Sequence, residues 1–297
     1  MRVMKRTLLP LLLLLSLLLT ACGAPPSGGE EAPWQTAYRQ TGEYLLSQET
    51  PAAGSVGGEW TVVGLRAAGL LSRETAAVYY ESAVTYAAQA DGNRLNPNKS
   101  TENARTILGV TAAGHSAADV GGVDLTAGLG DMEYLRRQGV NGPIWALIAL
   151  DCHGYDIPQC ADGEEQTTRE GLVAEILSYQ CSDGGWALMG DESDVDMTAM
   201  ALTSLAPYQE ETDVKAAVEQ ALTWVSNAQQ DDGGFMGWGT ANSESCAQVI
   251  VALTALGIDP AADSRFVKNG ASPLDGLCAF ACEGGGFCHS NEQAEPD

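Results

Sequence analysis

The chain has 297 residues and a formal net charge of −24, because 39 acidic residues outnumber 15 basic ones. Such a surface repels nucleic acid and anionic lipid headgroups, which argues against nonspecific binding to either. No block of five or more like charges occurs, so the acidity forms a solvated coat and identifies no ligand by itself.

The N-terminus reads as a signal peptide that ends in a lipidation site. Arg2, Lys5 and Arg6 precede a leucine run, and Cys22 directly follows Leu-Thr-Ala, which resembles a bacterial lipoprotein processing site. An apolar segment this short is typical of an export signal rather than a spanning helix. We expect the signal peptide, residues 1–21, to be cleaved off before Cys22 and a lipid to be attached to Cys22. The mature protein would then be extracytoplasmic and anchored to the bacterial cell membrane. The alternative is an ordinary secretory signal.

A polar tether follows the signal. Residues 22–33 are rich in Gly, Pro and Glu and show no apolar periodicity, so they predict a flexible spacer. The folded domain is therefore expected over 34–297.

Seven cysteines follow Cys22, and an odd number cannot all pair within one chain. Cys152 and Cys160 flank a turn-rich loop that a disulfide would close, as export permits. Three further cysteines and His289 lie near the C-terminus, but their spacing fits no known zinc site, so zinc is not expected there.

A diglycine followed by an aromatic residue recurs in the second half of the chain. The copies are YQCSDGGW (179–186), AQQDDGGF (228–235) and the degenerate FACEGGGF (280–287). Their period of about fifty residues is too long for a hairpin and suits a pair of helices with its loops.

Two kinds of helix alternate along the chain. Amphipathic, charged helices precede the diglycine turns, and short apolar helices follow them. The five apolar helices are centred on Gly64, Gly109, Ala146, Ala201 and Ala252. A helix that is apolar on all sides must be surrounded by other helices. The pattern predicts an all-α fold of two concentric helical layers, an α/α toroid, with a central cavity.

The diglycine motifs resemble the repeats of terpenoid cyclases and protein prenyltransferases. In that superfamily the glutamine, here Gln180 and Gln229, ties an outer helix to the next turn. Over about residues 40–297 the chain is most similar to bacterial surface proteins with prenyltransferase and squalene oxidase repeats. These squalene cyclase-like proteins are related in fold to cobalamin carriers of the intrinsic factor and transcobalamin type. A ring of six helix pairs would place the sixth inner helix beyond residue 297, so a C-terminal truncation is expected.

The resemblance suggests one candidate catalytic acid. Cyclases carry Asp-x-Asp-Asp-Thr on an inner helix, and Asp194 to Thr198 matches it except at Met197, which makes Asp196 the candidate acid. The simpler interpretation is that these carboxylates cap the helix, with or without contact to a ligand. Because Met197 cannot activate an acid and only 6% of the chain is aromatic, a carbocation cyclase is not favoured.

A prenyltransferase zinc site is a second enzymatic reading. Glu244-Ser245-Cys246 falls where that family carries Asp-x-Cys, but the family's histidine would lie beyond residue 297. Cys246 is then expected to be a core residue, and zinc is unlikely to bind here.

The sequence therefore favours a membrane-anchored, non-catalytic toroid that binds a ligand. The first candidate ligand is a cobalamin-like tetrapyrrole, by fold analogy, and the second is a surface glycan or peptide. An adhesin or scaffold role is the alternative, and no nucleic acid is expected. Helix N-termini favour anionic or carbonyl groups, whereas the nearby carboxylates oppose them. The candidate ligand-binding residues are Glu59, Trp60, Asn141, Trp145, Asp194, Asp196, Asn242 and Glu244.

Overall fold

A computed structural model describes residues 31–55, 57–292 and 296, and this part of the chain is mostly helical. Its α-helices are α1 (Pro33–Ser47), α2 (Gly58–Ala67), α3 (Arg73–Ala87), α4 (Ser100–Ala112), α5 (Met132–Arg136), α6 (Asn141–Asp151), α7 (Arg169–Ser178), α8 (Val195–Leu205), α9 (Thr212–Ala228), α10 (Ser243–Ala255) and α11 (Pro273–Cys278). The all-α prediction is therefore confirmed. The expected signal peptide, Cys22 and the tether up to residue 30 lie outside the described residues.

No helix in the described ranges is both long and apolar enough to cross a bilayer. Two short 3-10 turns, Ala127–Leu129 and Ala206–Tyr208, complete the helical elements.

The five predicted apolar helices are present as α2, α4, α6, α8 and α10, and they pack against one another in chain order. Each of these contacts joins one apolar helix to the next, from α2 with α4 through to α8 with α10. The amphipathic helices pack on them: α3 on α4, α7 on α6, α9 on α8 and α11 on α10. The N-terminal helix α1 contacts both α11 and α2.

Burial explains why the apolar helices hold this order. In α8, eight residues from Val195 to Leu205 are buried, and Ala199, Ala201 and Leu205 are fully so. Each large aliphatic side chain buried in this way stabilises the fold by roughly 1.5–3 kcal/mol. The alanines permit close approach of neighbouring helices, so α8 packs tightly between α6 and α10.

A shared turn follows each amphipathic helix of the repeat. In all three copies the same two backbone hydrogen bonds close the turn, from Cys181 to Gly185, from Gln230 to Gly234 and from Cys282 to Gly286, each with its reciprocal bond one residue inside. The degenerate third copy is therefore the same structural unit.

Two buried or half-buried glutamines tie these turns to the next helical segment. The side-chain amide of each donates to the carbonyl of the glycine four residues on and to a carbonyl further along the chain. Gln180 reaches Gly184 and Ala217 at 2.8 and 2.9 Å, and Gln229 reaches Gly233 and Phe266 at 3.1 and 2.9 Å. The motif aromatics Trp186 and Phe235 are fully buried beneath the turns.

The third turn has Ala281 in the glutamine position and is closed by a disulfide between Cys282 and Cys288. The disulfide allowed by spacing between Cys152 and Cys160 does not form, and both are free thiols. The Sγ of Cys152 instead points to the hydroxyl of Thr111 on α4 at 3.7 Å, because the end of α6 packs against α4.

One antiparallel ribbon departs from the prediction that the domain has no strand. Strands β1 (Met236–Gly237) and β2 (Thr240–Ala241) pair with Met236 opposite Ala241. The two loop residues, Trp238 and Gly239, both have positive φ, as the tightest hairpin turns require. This hairpin places Trp238 at the surface with 73% of its area exposed.

The glutamine tie leads to a stability prediction. Gln229→Ala leaves the carbonyls of Gly233 and Phe266 without their partner in a buried setting, so the free energy of unfolding is expected to fall by about 2–4 kcal/mol. Gln230→Ala is the matched control, because the exposed Gln230 side chain bonds only the nearby Ala228 carbonyl. Denaturant unfolding measures both variants; equal losses would contradict the role assigned to Gln229.

Candidate functional site

Asp194 is the N-cap of α8. Its Oδ1 accepts the amide hydrogen of Met197 at 2.7 Å, and its Oδ2 accepts that of Leu188 at 3.1 Å. Both oxygens are therefore engaged by backbone amides, which fixes the entry of the chain into the helix. Asn242 repeats this arrangement on α10, where its Oδ1 accepts the amide hydrogen of Ser245 at 2.8 Å.

Asp196, in the second position of α8, faces the neighbouring helix. Its Oδ1 accepts a hydrogen bond from the hydroxyl of Ser245 on α10 at 2.7 Å. Burial raises the pKa of Asp196, with a smaller contribution from the charges of Asp194 and Glu244, whereas the Ser245 hydrogen bond acts in the opposite direction. Ser245 was not among the residues identified from sequence, since nothing in its local pattern distinguishes it from a helix-capping serine.

The environment of Asp196 bears on the cyclase interpretation. A catalytic acid must hold its proton, which the raised pKa of Asp196 allows, but protonation of an alkene also requires neighbouring donors or charges that strengthen the acid. Met197, at the position of the missing aspartate, is buried and offers neither charge nor a donor to a neighbouring carboxyl. The geometry gives the catalytic interpretation no support.

Glu244 occupies the same position on α10 as Asp196 does on α8. Its carboxylate lies 3.0 Å from Nδ1 of His289, in the segment that follows α11, and the backbone amide of Ser243 bonds the carbonyl of His289. Sequence reasoning considered His289 only as a zinc ligand, whereas the structure places it beside Glu244.

Cys246 lies two residues after Glu244 on α10, in the hydrophobic core. It is fully buried, and burial raises the pKa of its thiol to about 11, as expected of a protonated thiol in a hydrophobic core. Within the described residues, no group of three or more His, Cys, Asp and Glu side chains is placed to hold a metal ion.

Glu59 lies inside the protein rather than on an open rim. Its side chain has no exposed area; one oxygen accepts the Gly54 amide at 2.7 Å, and the other lies 3.4 Å from Nε of Arg105. The neighbouring Tyr79 is also fully buried, and burial raises the pKa of its hydroxyl well above the ordinary value. This polar cluster joins α2, α3 and α4, so Glu59 has a clear structural role.

Trp60 and Trp145 come together across the first turns of α2 and α6. Their ring centroids are 5.4 Å apart with an angle of 56° between the planes, a favourable tilted geometry. Trp60 is 43% exposed. One turn before Trp145, the Oδ1 of Asn141 is buried and has no hydrogen-bond partner in the described part of the chain.

Each apolar helix has one face that its neighbours leave partly uncovered, which we call the open face. The positions on it recur at helical spacing. Its principal members are Trp60 on α2, Leu108 on α4, Asn141, Trp145 and Ile148 on α6, Asp196, Met200 and Thr203 on α8, and Glu244, Gln248 and Val251 on α10. Val251 is 51% exposed although it lies in the middle of an apolar helix.

The best-defined clefts of the described residues do not lie on the open face. Two clefts occur elsewhere in the described residues, one of about 320 Å³ between α7 and α9 and one of about 240 Å³ near the start of α3. Neither is lined by a residue that the sequence identified as ligand-binding.

Neither a known protein family nor a curated protein matches the chain. What can be inferred about function therefore rests on the geometry of the open face.

The raised pKa of Asp196 leads to a pH-dependent prediction. In the pH range between the pKa of the unfolded chain and that of the folded protein, only the folded state keeps this proton, so stability falls as pH rises through that range. Asp196→Asn keeps an acceptor for Ser245 and removes the charge. It should therefore be more stable than the wild type at neutral pH, and this gain should vanish in acid.

Asp213→Asn is the control, since Asp213 holds the same second position on α9 and is exposed. Removing that charge should lower stability slightly, because the helix dipole favours an acid there. Thermal unfolding across pH measures both. A loss of stability in Asp196→Asn at neutral pH would refute the assignment.

Proposed function

We propose that the chain is a lipid-anchored, ligand-binding protein on the outer side of a bacterial cell membrane, built as an α/α toroid. The observation that carries the binding role is the open face, where Trp60 and Val251 are exposed and Trp145 is half-buried on helices whose other apolar residues are mostly buried. Apolar area is costly to leave in water, and the contact between Trp60 and Trp145 makes part of this area contiguous, as at binding sites on other proteins.

The order of helix contacts supports the toroid. Apolar helices that pack in sequence from α2 to α10, each with an amphipathic helix outside it, follow the order of an inner and an outer ring. Helix α1 bridges the last and the first members, since it contacts α11 and α2 and the Thr41 hydroxyl accepts the amide hydrogen of Gly286 at 3.3 Å. In this arrangement the open face lines the axis of the ring.

The chemistry of the open face suits a broad, mostly apolar ligand with polar edges. The Trp60–Trp145 pair offers aromatic surface. One turn before Trp145, the Oδ1 of Asn141, unpaired among the described residues, is buried, so a ligand would reach this acceptor only after a local rearrangement. Asp196 and Glu244 add carboxylates on the other side of the face. A cobalamin-like tetrapyrrole, which combines a large ring with peripheral amides, is the first candidate; a surface glycan or peptide is the second.

Two other roles have less support. A terpene cyclase-like activity with Asp196 as acid lacks support, because the buried Met197 stands where the family carries the aspartate that strengthens the acid. An adhesin or scaffold would bind through the outer surface, and exposed Trp238 and Met189 on the turns offer contact area for such a partner. The two binding roles predict different consequences of changes on the open face.

A titration tests the binding role. The change is Trp145→Ala or Trp60→Ala, and the measurement is tryptophan fluorescence and absorbance during titration with cobalamin and cobinamide. We expect each variant to bind the ligand at least about tenfold more weakly than the wild type does, because central aromatic residues carry most of the energy of an interface.

Trp224→Phe is the control, because Trp224 lies on α9 and its indole bonds Asp183 away from the open face. Absence of any response in the wild type would remove the tetrapyrrole. Equal affinity of all variants for a cell-wall or host ligand would place binding outside the open face and favour the adhesin.

A further inference from the structure

The cleft near the start of α3 differs in charge from the rest of this acidic protein. It has a volume of about 240 Å³, and no Asp or Glu is among the described residues that line it. The lining residues are Arg66, Leu71, Ser72, Arg73, Ala76, Ala77, Ala113 and His115. Two arginines and a histidine, all three exposed, therefore line a cleft large enough for a small polyatomic anion.

Both arginines lack an acidic partner, although acidic residues outnumber basic ones 39 to 15. Of the described arginines, the six that form ion pairs with carboxylates are Arg39, Arg94, Arg105, Arg136, Arg169 and Arg265. Of the other three, Arg137 lies over the ring of Tyr134, and Arg66 and Arg73 both line this cleft. The positive charges of Arg66 and Arg73 are therefore not paired with any carboxylate that the structure describes, and both residues line the same cleft.

Arg73 stands where the helix itself disfavours a cation. It is the first residue of α3, close to the positive end of the helix dipole. The amide groups of Arg73 and Glu74 have no acceptor in the described part of the chain, whereas that of Thr75 is bonded by the Ser72 hydroxyl at 3.0 Å. An anion in the cleft would satisfy both the free amides and the guanidinium.

The other side of the cleft is held in place by packing. Arg66, in the last turn of α2, donates from Nε to the carbonyl of Ala112 at 2.5 Å, which leaves its terminal nitrogens without a bond. The ring of His115 stacks on Tyr80 with centroids 3.6 Å apart, and neither ring nitrogen has a partner among the described residues. The contacts with Ala112 and Tyr80 thus orient Arg66 and His115, while, in the part of the chain that the structure describes, the terminal nitrogens of Arg66 and the ring nitrogens of His115 remain free to bind a ligand.

We propose that this cleft is an anion site that binds the phosphate group of a small ligand. The planar fork of arginine matches phosphate oxygens, and free amides at a helix start are typical phosphate donors. The site is independent of the open face, because Trp60 lies in the first turn of α2 and Arg66 in its last. Phosphate binding can therefore be measured whether or not the function proposed above is correct.

The test uses the full chain and inorganic phosphate as the probe. Calorimetry and thermal unfolding at constant ionic strength compare phosphate with chloride and acetate. We expect phosphate to bind and to raise the melting temperature, and Arg73→Gln to weaken binding about tenfold, since a charge-assisted hydrogen bond carries that much.

Two controls keep the result clear. Without phosphate, Arg73→Gln should melt at or above the wild-type temperature, because it relieves the cation at the helix start. Lys215→Gln removes the same charge from the exposed surface of α9 and should bind phosphate as the wild type does. If phosphate acts no differently from chloride, or if Arg73→Gln binds it as tightly as Lys215→Gln, the proposal is wrong.

Two further probes distinguish a soluble phosphate ester from a lipid headgroup as the natural ligand. Glycerol 3-phosphate carries a monoester, as soluble metabolites do, and glycerophosphoglycerol carries the diester of a lipid headgroup. Tighter binding of the monoester assigns the cleft to a soluble ligand, and tighter binding of the diester assigns it to a headgroup. Failure of both to compete with inorganic phosphate would contradict the site.

Discussion

The near absence of charge from the apolar helices is the constraint on which the rest of the structure depends. Helices α6, α8 and α10 each carry a single acidic residue and no basic one. Exposure of such apolar helices to water is unfavourable, so each must be covered by other helices on most of its surface. Packing in chain order, with an amphipathic helix against each of α4, α6, α8 and α10, satisfies this requirement. One face of each helix remains open, and that remainder is where a ligand is proposed to bind.

Repeated polar contacts hold the layers in register. The glutamine ties and the closed diglycine turns connect each amphipathic helix to the next segment, while Asp194 and Asn242 start α8 and α10 in the same way. Asp196 and Glu244 are the second residues of these two helices. Their partners differ, because Ser245 serves Asp196 and His289 serves Glu244. Helices α8 and α10 therefore begin in the same way, but the carboxylates at their second positions have different partners.

The sequence predicts features that depend on local pattern. Apolar helices centred from Gly64 to Ala252 follow from composition, and the turns follow from the motif and its period. Features that depend on how helices meet were not predictable in this way. Burial of Glu59 against Arg105 and the bond from Ser245 to Asp196 need the relative register of two helices. The ribbon at Trp238 was missed because its two-residue strands are too short to show alternation.

The open faces of α2 and α6 converge, which brings Trp60 and Trp145 together. Circular dichroism tests this directly, since two indoles at 5.4 Å couple and give a paired positive and negative band. Trp60→Phe and Trp145→Phe should each abolish the same band, and the double variant should change nothing more. Independent, additive changes in the two single variants would contradict it.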